Sequence, residues 1–168
     1  MIQKLMGGVL IFAACAGVGF MKAAQLRNEE LLLSDTVRLL SRMENELSCR
    51  RTPLPKLCEL AQDCRIELKK LYTLLLERIS SQALPDVSNC MNQAMGQVIL
   101  PKSVSNLHNM LAQTLGRYDL EGQLRELEAV RKSAEQLLED IRKTQKDKQK
   151  FYQTLGLCAG AALVILLV

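Results

Sequence analysis

The chain has 168 residues, a formal net charge of +4 and a composition that is 48% hydrophobic but only 4% aromatic. This length gives one domain at most, and the scarcity of aromatic residues without any nucleic-acid motif argues against a DNA or RNA partner. Leucine, glutamine, glutamate, lysine and arginine dominate the middle of the chain, and such straight-chain residues favour helices. The sequence therefore predicts an all-α protein.

The first apolar segment runs from Leu5 to Met21 and contains seventeen residues without a charge. Its length is close to the lower limit for a helix that crosses a membrane. Three interpretations are open: a cleaved signal peptide, a lipoprotein signal that uses Cys15, and a retained transmembrane helix over residues 2–21. Small residues suit close helix packing in lipid and favour the third interpretation. They are Gly7, Gly8, Ala13, Ala14, Gly17 and Gly19.

The second apolar segment is the C-terminal one, which has no charged side chain from Thr154 to Val168. A basic stretch, residues 142–150, precedes it, and Lys22 follows the first apolar segment. Positive charge marks the cytoplasmic side of a membrane helix and is attracted by anionic headgroups. This pattern predicts transmembrane helices at 2–21 and 151–168, with a cytoplasmic helical bundle at 22–150 between them.

The spacing of apolar residues predicts six helices in this middle part, beginning near residues 25, 55, 66, 86, 103 and 119. Prolines interrupt the pattern, and the fourth helix is predicted to run from Asp86 to Val98. In the last helix apolar residues follow a heptad-like seam with Arg131 as its one polar intrusion. A coiled coil with a partner would have this pattern too, but packing within the chain's own bundle is favoured.

Signals for chemistry are few in this sequence. It has no phosphate-binding glycine loop and no motif of a serine hydrolase or zinc protease. The six cysteines form no C-x-x-C pair and are predicted to be reduced thiols, and the sole histidine, His108, is predicted at the surface or at the edge of the core. No catalytic, cofactor-binding or metal-binding residue is predicted, and the protein is not expected to be an enzyme.

Three stretches of the sequence match motifs of one family. The first is Met43–Leu47 followed by Thr52–Leu57, the second is Leu115–Gln123, and the third is Lys150–Gly156 ahead of the apolar end. With the N-terminal apolar segment they resemble the stage III sporulation protein AB family of endospore-forming Firmicutes, over essentially the whole chain.

The resemblance implies a location and a function. Members of the family lie in the mother-cell membrane around the forespore, within a multiprotein channel complex between the two cells. Their soluble domain is similar to the cytoplasmic domain of the inner-membrane platform protein of type II secretion and type IV pilus systems, which is a six-helix bundle. The expected function is that of a non-enzymatic platform or adaptor whose partner is a cytoplasmic ATPase resembling stage III sporulation protein AA.

The motifs supply eight candidate residues for structural or partner contacts. Turn, cap and core positions account for most of them, whereas Glu46 and Gln123 are the least explained and are expected to contact a partner or each other. The alternative function is an extracytoplasmic helical interaction protein with a cleaved or lipidated N-terminus. The eight candidates are Glu46, Pro53, Leu54, Leu57, Leu115, Gly116, Asp119 and Gln123.

Overall fold

The computed structural model of the protein describes residues 2–81, 86–114 and 120–167. Within these ranges it contains six α-helices, a short 3-10 helix at Leu60–Asp63 and no strand, which confirms the predicted all-α fold. The α-helices are α1 (Ile2–Arg50), α2 (Leu54–Glu59), α3 (Ile66–Ser80), α4 (Val87–Met95), α5 (Lys102–Thr114) and α6 (Leu120–Leu167).

Local chemistry sets the ends of α4. Asp86 precedes the helix, and its carboxylate accepts a hydrogen bond from the backbone N–H of Ser88 at 3.2 Å, which caps the first turn. The helix ends at Met95, before the predicted end at Val98. Beyond Met95 the backbone N–H groups of residues 97 and 98 bond to carbonyls three residues earlier, so the chain tightens into turns instead of continuing the helix.

The chain divides into two compact units, one formed by Met1–Glu30 with Asp140–Val168 and the other by Leu31–Glu139. Helices α1 and α6 each contribute residues to both units. The predicted domain boundaries, 2–21, 22–150 and 151–168, stay predictions.

The unit of residues 31–139 is a helical bundle with a leucine-rich core. In it α2 packs on α3, α3 on α4 and α4 on α5. Burying a side chain of leucine size stabilises the fold by about 1.5–3 kcal/mol, so this core supplies the main driving force for folding. Its least exposed members include Leu32, Leu33, Leu39, Leu40 and Met43 of α1, Leu68, Leu71 and Leu75 of α3, Met91 and Ala94 of α4, Val104 and Leu111 of α5, and Leu127, Val130 and Ala134 of α6.

Polar contacts fix α1 against the start of α3 in the same unit. Asp35 of α1 accepts a hydrogen bond from the backbone N–H of Arg65, just before α3, at 3.1 Å. Further along α1, Arg42 forms an ion pair with Asp63 of the 3-10 helix at 3.0 Å. The carboxylate of Asp35 therefore satisfies a backbone N–H at a helix start thirty residues away in the sequence.

Among the described side chains of the unit of residues 1–30 and 140–168, two small residues are buried and several large apolar residues are exposed, as are the small Ala13, Ala14 and Gly17. Gly19 and Ala23 are buried, whereas large side chains on both segments are exposed. Glu30 and Arg142 tie the segments together through an ion pair of 3.1 Å. Close contact through small residues is typical of helices that pack in lipid. The exposed large residues are Val18, Phe20, Met21, Phe151 and Leu155.

In the described part of the chain, no helix combines the length and the apolar character that crossing a membrane requires. The side chains of residues 1–12 and of most residues from 156 to 168 lie outside the described set. The transmembrane helices at 2–21 and 151–168 stay predictions.

Candidate functional site

The candidate site begins where α1 ends. Arg51 has a φ of 49°, a left-handed backbone conformation that few residues other than glycine adopt. Its backbone N–H donates to the carbonyl of Leu47 at 3.1 Å, which closes the last turn of α1. The backbone N–H of Thr52 donates to the carbonyl of Glu46 at 3.5 Å, so two backbone hydrogen bonds cap the end of the helix. The reversal of the chain at Arg51 turns the next residues, Thr52 and Pro53, back across the end of the helix.

Glu46 holds this turn together. Its carboxylate accepts a hydrogen bond from the hydroxyl of Thr52 at 3.0 Å and another from Arg50 at 3.2 Å. The hydroxyl of Thr52 also lies 3.3 Å from the backbone carbonyl of Glu46. Glu46 was one of the two least explained candidates, and these contacts give it a structural role at the end of α1.

Pro53 starts the next helix. It is the N-cap of α2 with φ −66° and ψ 151°, and its carbonyl accepts hydrogen bonds from the N–H groups of Lys56 and Leu57 at 3.0 and 3.2 Å. Proline suits this position because its ring fixes φ near the helical value and a missing N–H costs nothing at a helix start. The side chain of Leu57 is buried and that of Leu54 is half-buried.

Two clefts adjoin at Thr52 and Pro53, which line both of them and which we call the Thr52–Pro53 ridge. The first, which we call the leucine cleft, has a volume of about 290 Å³. The end of α1, the start of α2 and the start of α6 form its walls. The leucine cleft is lined by Leu47, Arg51, Thr52, Pro53, Leu54, Leu57, Leu120 and Gln123.

The second cleft, which we call the basic cleft, has a volume of about 450 Å³. It shares Thr52 and Pro53 with the leucine cleft, and two of its lining residues, Arg50 and Lys56, carry exposed positive charges. An apolar depression and a cationic one therefore share a single ridge. The basic cleft is lined by Glu46, Arg50, Thr52, Pro53, Lys56 and Leu60.

The structure brings five of the eight sequence candidates to these clefts. Pro53, Leu54, Leu57 and Gln123 line the leucine cleft, and Glu46 lines the basic cleft. Gln123 comes from α6, far along the chain from the others, so two separate motifs meet at one surface. The other three candidates, Leu115, Gly116 and Asp119, lie outside the described residues.

Sequence reasoning missed the positive charges around the clefts. Arg50, Arg51 and Lys56 line them, and none was a candidate. A usable signal was present, because two consecutive arginines stand directly before Thr52-Pro53, and basic residues are common in the last turn of a helix. That signal identifies the helix end, but not the surface that the charges border.

A second polar cluster lies inside the bundle, where α3 and α5 meet. His108 is 1% exposed, so its predicted position at the surface or at the edge of the core is wrong. Its Nδ1 donates to the carbonyl of Val104 at 2.8 Å, and its ring lies edge-on to that of Tyr72, with ring centroids 5.8 Å apart. Burying the neutral imidazole costs free energy, and the hydrogen bond from its Nδ1 offsets part of that cost.

Burial dominates the acid–base behaviour of this cluster. It lowers the pKa of His108, against a smaller opposing effect of the Val104 hydrogen bond, and it raises the pKa of Tyr72 well above its ordinary value. Burial, aided by the charge of Glu59, raises the pKa of Cys58 to about 12. These three groups are therefore neutral at physiological pH. Among the described residues no group of three or more His, Cys, Asp or Glu side chains could hold a metal ion.

The described helices and clefts define an all-helical bundle protein with a composite cleft at one helix junction. A family model described as stage III sporulation protein AB matches residues 4–168. The chain belongs to this family, which has a role in stage III of sporulation. No curated protein and no solved structure matches the chain. The likeness to the platform protein of secretion systems stays a prediction.

Proposed function

We propose that the protein is a non-enzymatic platform of the channel complex between mother cell and forespore, held in the mother-cell membrane. Its bundle docks the cytoplasmic ATPase that resembles stage III sporulation protein AA. One observation carries the docking part of this proposal: the residues of two separate family motifs, around Pro53 and at Gln123, line the same leucine cleft.

The leucine cleft has the features of a surface that binds another protein. Its lining includes two nearly buried leucines, Leu47 and Leu57, which are 6% and 3% exposed and which we call its floor. The half-buried Leu54 and Leu120 stand at its sides. Apolar side chains at the centre of a depression with polar groups around it are typical of the residues that dominate binding energy.

Membrane attachment rests on the apolar segments and on the unit they form. Leu5 to Met21 carry no charge, and Phe20 and Phe151 are exposed while the small Gly19 and Ala23 are buried. Large exposed apolar side chains are unfavourable in water but favourable in lipid. Tyrosine is common at the boundary between lipid and water and lysine on its cytoplasmic side, and Tyr152 lies two residues after Lys150.

Co-purification tests docking. Full-length protein in membranes from cells that also produce the ATPase is extracted with mild detergent, and the ATPase is measured in the eluate. We expect Leu54→Asp to abolish co-purification, because a carboxylate would be desolvated in the leucine cleft. The matched control is Ile99→Asp, since Ile99 is 96% exposed and lies outside both clefts. If the wild-type ATPase fails to co-purify, docking is excluded.

Thiol labelling tests topology against the extracytoplasmic alternative. Cys49 is exposed at the end of α1, whereas Cys58 is buried and, with its raised pKa, unreactive. A variant that retains only Cys49 is treated with a membrane-impermeant maleimide on intact cells and on permeabilised cells. We expect labelling only after permeabilisation, and labelling of intact cells would favour the extracytoplasmic protein with a cleaved or lipidated N-terminus. A variant that retains only Cys58 is the control: because Cys58 is buried, it should stay unlabelled in both samples as long as the protein is folded.

A further inference from the structure

We propose that the leucine cleft and the basic cleft together bind one acidic segment of a partner protein. An apolar side chain of that segment enters the leucine cleft, and carboxylates beside it pair with Arg51 and Lys56. This inference rests on the proposed docking function and adds the chemistry of the segment that docks. The inference describes the sequence of the docking segment and holds for any protein of the complex that contains such a segment.

The charges around the clefts favour an acidic ligand. Among the described lining residues of the two clefts, Arg50, Arg51 and Lys56 are cationic and Glu46 is the one carboxylate. Glu46 is already engaged by Arg50 and Thr52. Within the described ranges neither Arg51 nor Lys56 has a carboxylate partner. Two exposed cations of the surface are therefore available to a ligand, and complementary charge would steer its approach.

Both cations lie close to the leucines of the leucine cleft. Arg51 itself lines the leucine cleft, and Lys56 lines the basic cleft across the Thr52–Pro53 ridge. Lys56 and Leu57 are neighbours on the short helix α2. Lys56 lines the basic cleft and Leu57 lines the leucine cleft. A ligand whose apolar side chain contacts Leu57 thus brings neighbouring carboxylates within reach of Lys56.

The apolar floor favours a protein segment over a bare anionic surface. The leucine cleft has a volume of about 290 Å³, at the lower end for small-molecule sites, and its floor is made of leucines. Phosphates of a lipid headgroup or a nucleic acid would pair with cations but would leave the half-buried Leu54 and Leu120 of this cleft uncovered. A protein segment that combines carboxylates with a leucine-like side chain covers both.

Photo-crosslinking in sporulating cells tests the chemistry of the ligand directly. A photoreactive amino acid replaces Lys56 in the full-length protein, and the crosslinked peptide of the partner is sequenced by mass spectrometry. We expect a peptide rich in Asp and Glu around a large apolar residue. A neutral or basic peptide, a lipid adduct, or the absence of any adduct would each overturn the inference. The same amino acid at Lys70, an exposed position on α3 outside both clefts, is the control.

Charge reversal measures the contribution of each cation. We expect Lys56→Glu and Arg51→Glu each to weaken binding of the crosslinked partner to the full-length protein by roughly tenfold, and Lys70→Glu to leave it unchanged. Binding of the wild type should weaken as salt is raised. Reversing a carboxylate of the acidic segment to lysine should restore binding to Lys56→Glu, and unchanged binding by both reversed variants would contradict the inference.

The identity of the crosslinked protein separates this inference from the proposed function. An acidic segment in a protein other than the ATPase keeps the inference and removes ATPase docking. The ATPase crosslinked through a segment that is not acidic keeps ATPase docking and removes the inference.

Discussion

Arg131 of α6 donates from Nε to a carboxylate oxygen of Glu44 on α1 at 2.7 Å. Its Nη1 donates to Glu135, one helical turn further along α6, at 2.6 Å. The side chains of Arg131 and Glu44 are only 20% and 28% exposed. These hydrogen bonds raise the pKa of Arg131 and keep its charge compensated at a position where the heptad-like seam otherwise has apolar residues.

A double-mutant cycle should reveal this contact. Arg131→Met and Glu44→Gln, alone and together, are expected to give a coupling energy of about 1 kcal/mol in the free energy of unfolding, because the pair is partly shielded from solvent. Denaturation of the purified protein by urea, followed by circular dichroism, measures it. The pair Arg125–Glu121 on α6, with both side chains 79% exposed, is the control and should show almost no coupling. Equal coupling energies for the two pairs would mean that partial burial does not strengthen the Arg131–Glu44 ion pair.

Replacing Arg51 by glycine should stabilise the protein. Arg51 has a φ of 49°, and glycine adopts this conformation without the steric cost of a side chain. We expect Arg51→Gly to raise the free energy of unfolding by about 1 kcal/mol. Arg50→Gly is the matched control and should lower it, because Arg50 is the last helical residue of α1 and pairs with Glu46. A loss of stability in Arg51→Gly would show that the Arg51 side chain supports the fold.

The buried His108 should make the stability depend on pH. Burial lowers its pKa in the folded state below the ordinary value of 6.5, so the unfolded chain binds the proton more readily. Stability is therefore greatest above about pH 6.5 and is lost as the pH falls, by up to about 2 kcal/mol at about pH 5. Urea denaturation between about pH 8 and about pH 5 should show this decline in the wild type. The decline should be weaker in His108→Gln, which has no titrating group there, and an equal decline would assign it to other residues.

A larger residue at Ala23 should loosen the unit of residues 1–30 and 140–168. Ala23 is 6% exposed, so leucine at this position must displace its neighbours, at a cost of about 1–3 kcal/mol. We expect Ala23→Leu to speed hydrogen exchange of backbone amides in residues 140–150. The control is Met21→Leu, because Met21 is 62% exposed. Unchanged exchange in Ala23→Leu would show that Ala23 makes no close contact with the other segment.

The helices were predictable because their signals are local. Apolar spacing and prolines placed starts near residues 55, 66, 86 and 103, and the structure has them at Leu54, Ile66, Val87 and Lys102. The end of α4 was predicted too late, because the prediction relied on Pro101, whereas the turns that end the helix already begin at Gly96.

The candidate site was only partly predictable. Motif residues such as Pro53 and Gln123 were identified, but their meeting at one cleft depends on how α1, α2 and α6 pack. Helix packing also decides the partner of Arg131, because Glu44 lies 87 residues earlier in the sequence. His108 was misplaced although a signal was present: it lies four residues after Val104 and three before Leu111, which puts it on the apolar face of α5.

The separation of Glu44 from Arg131 has a consequence for synthesis of the protein on the ribosome. The core face of α1, with Leu32, Leu33 and Met43, is made first, but the Ala134 side of the core belongs to α6 and is made last. A nascent chain must keep this face covered by other means until α6 leaves the exit tunnel. Chains that terminate before α6 would therefore expose a leucine-rich surface and be targets for chaperones and proteases.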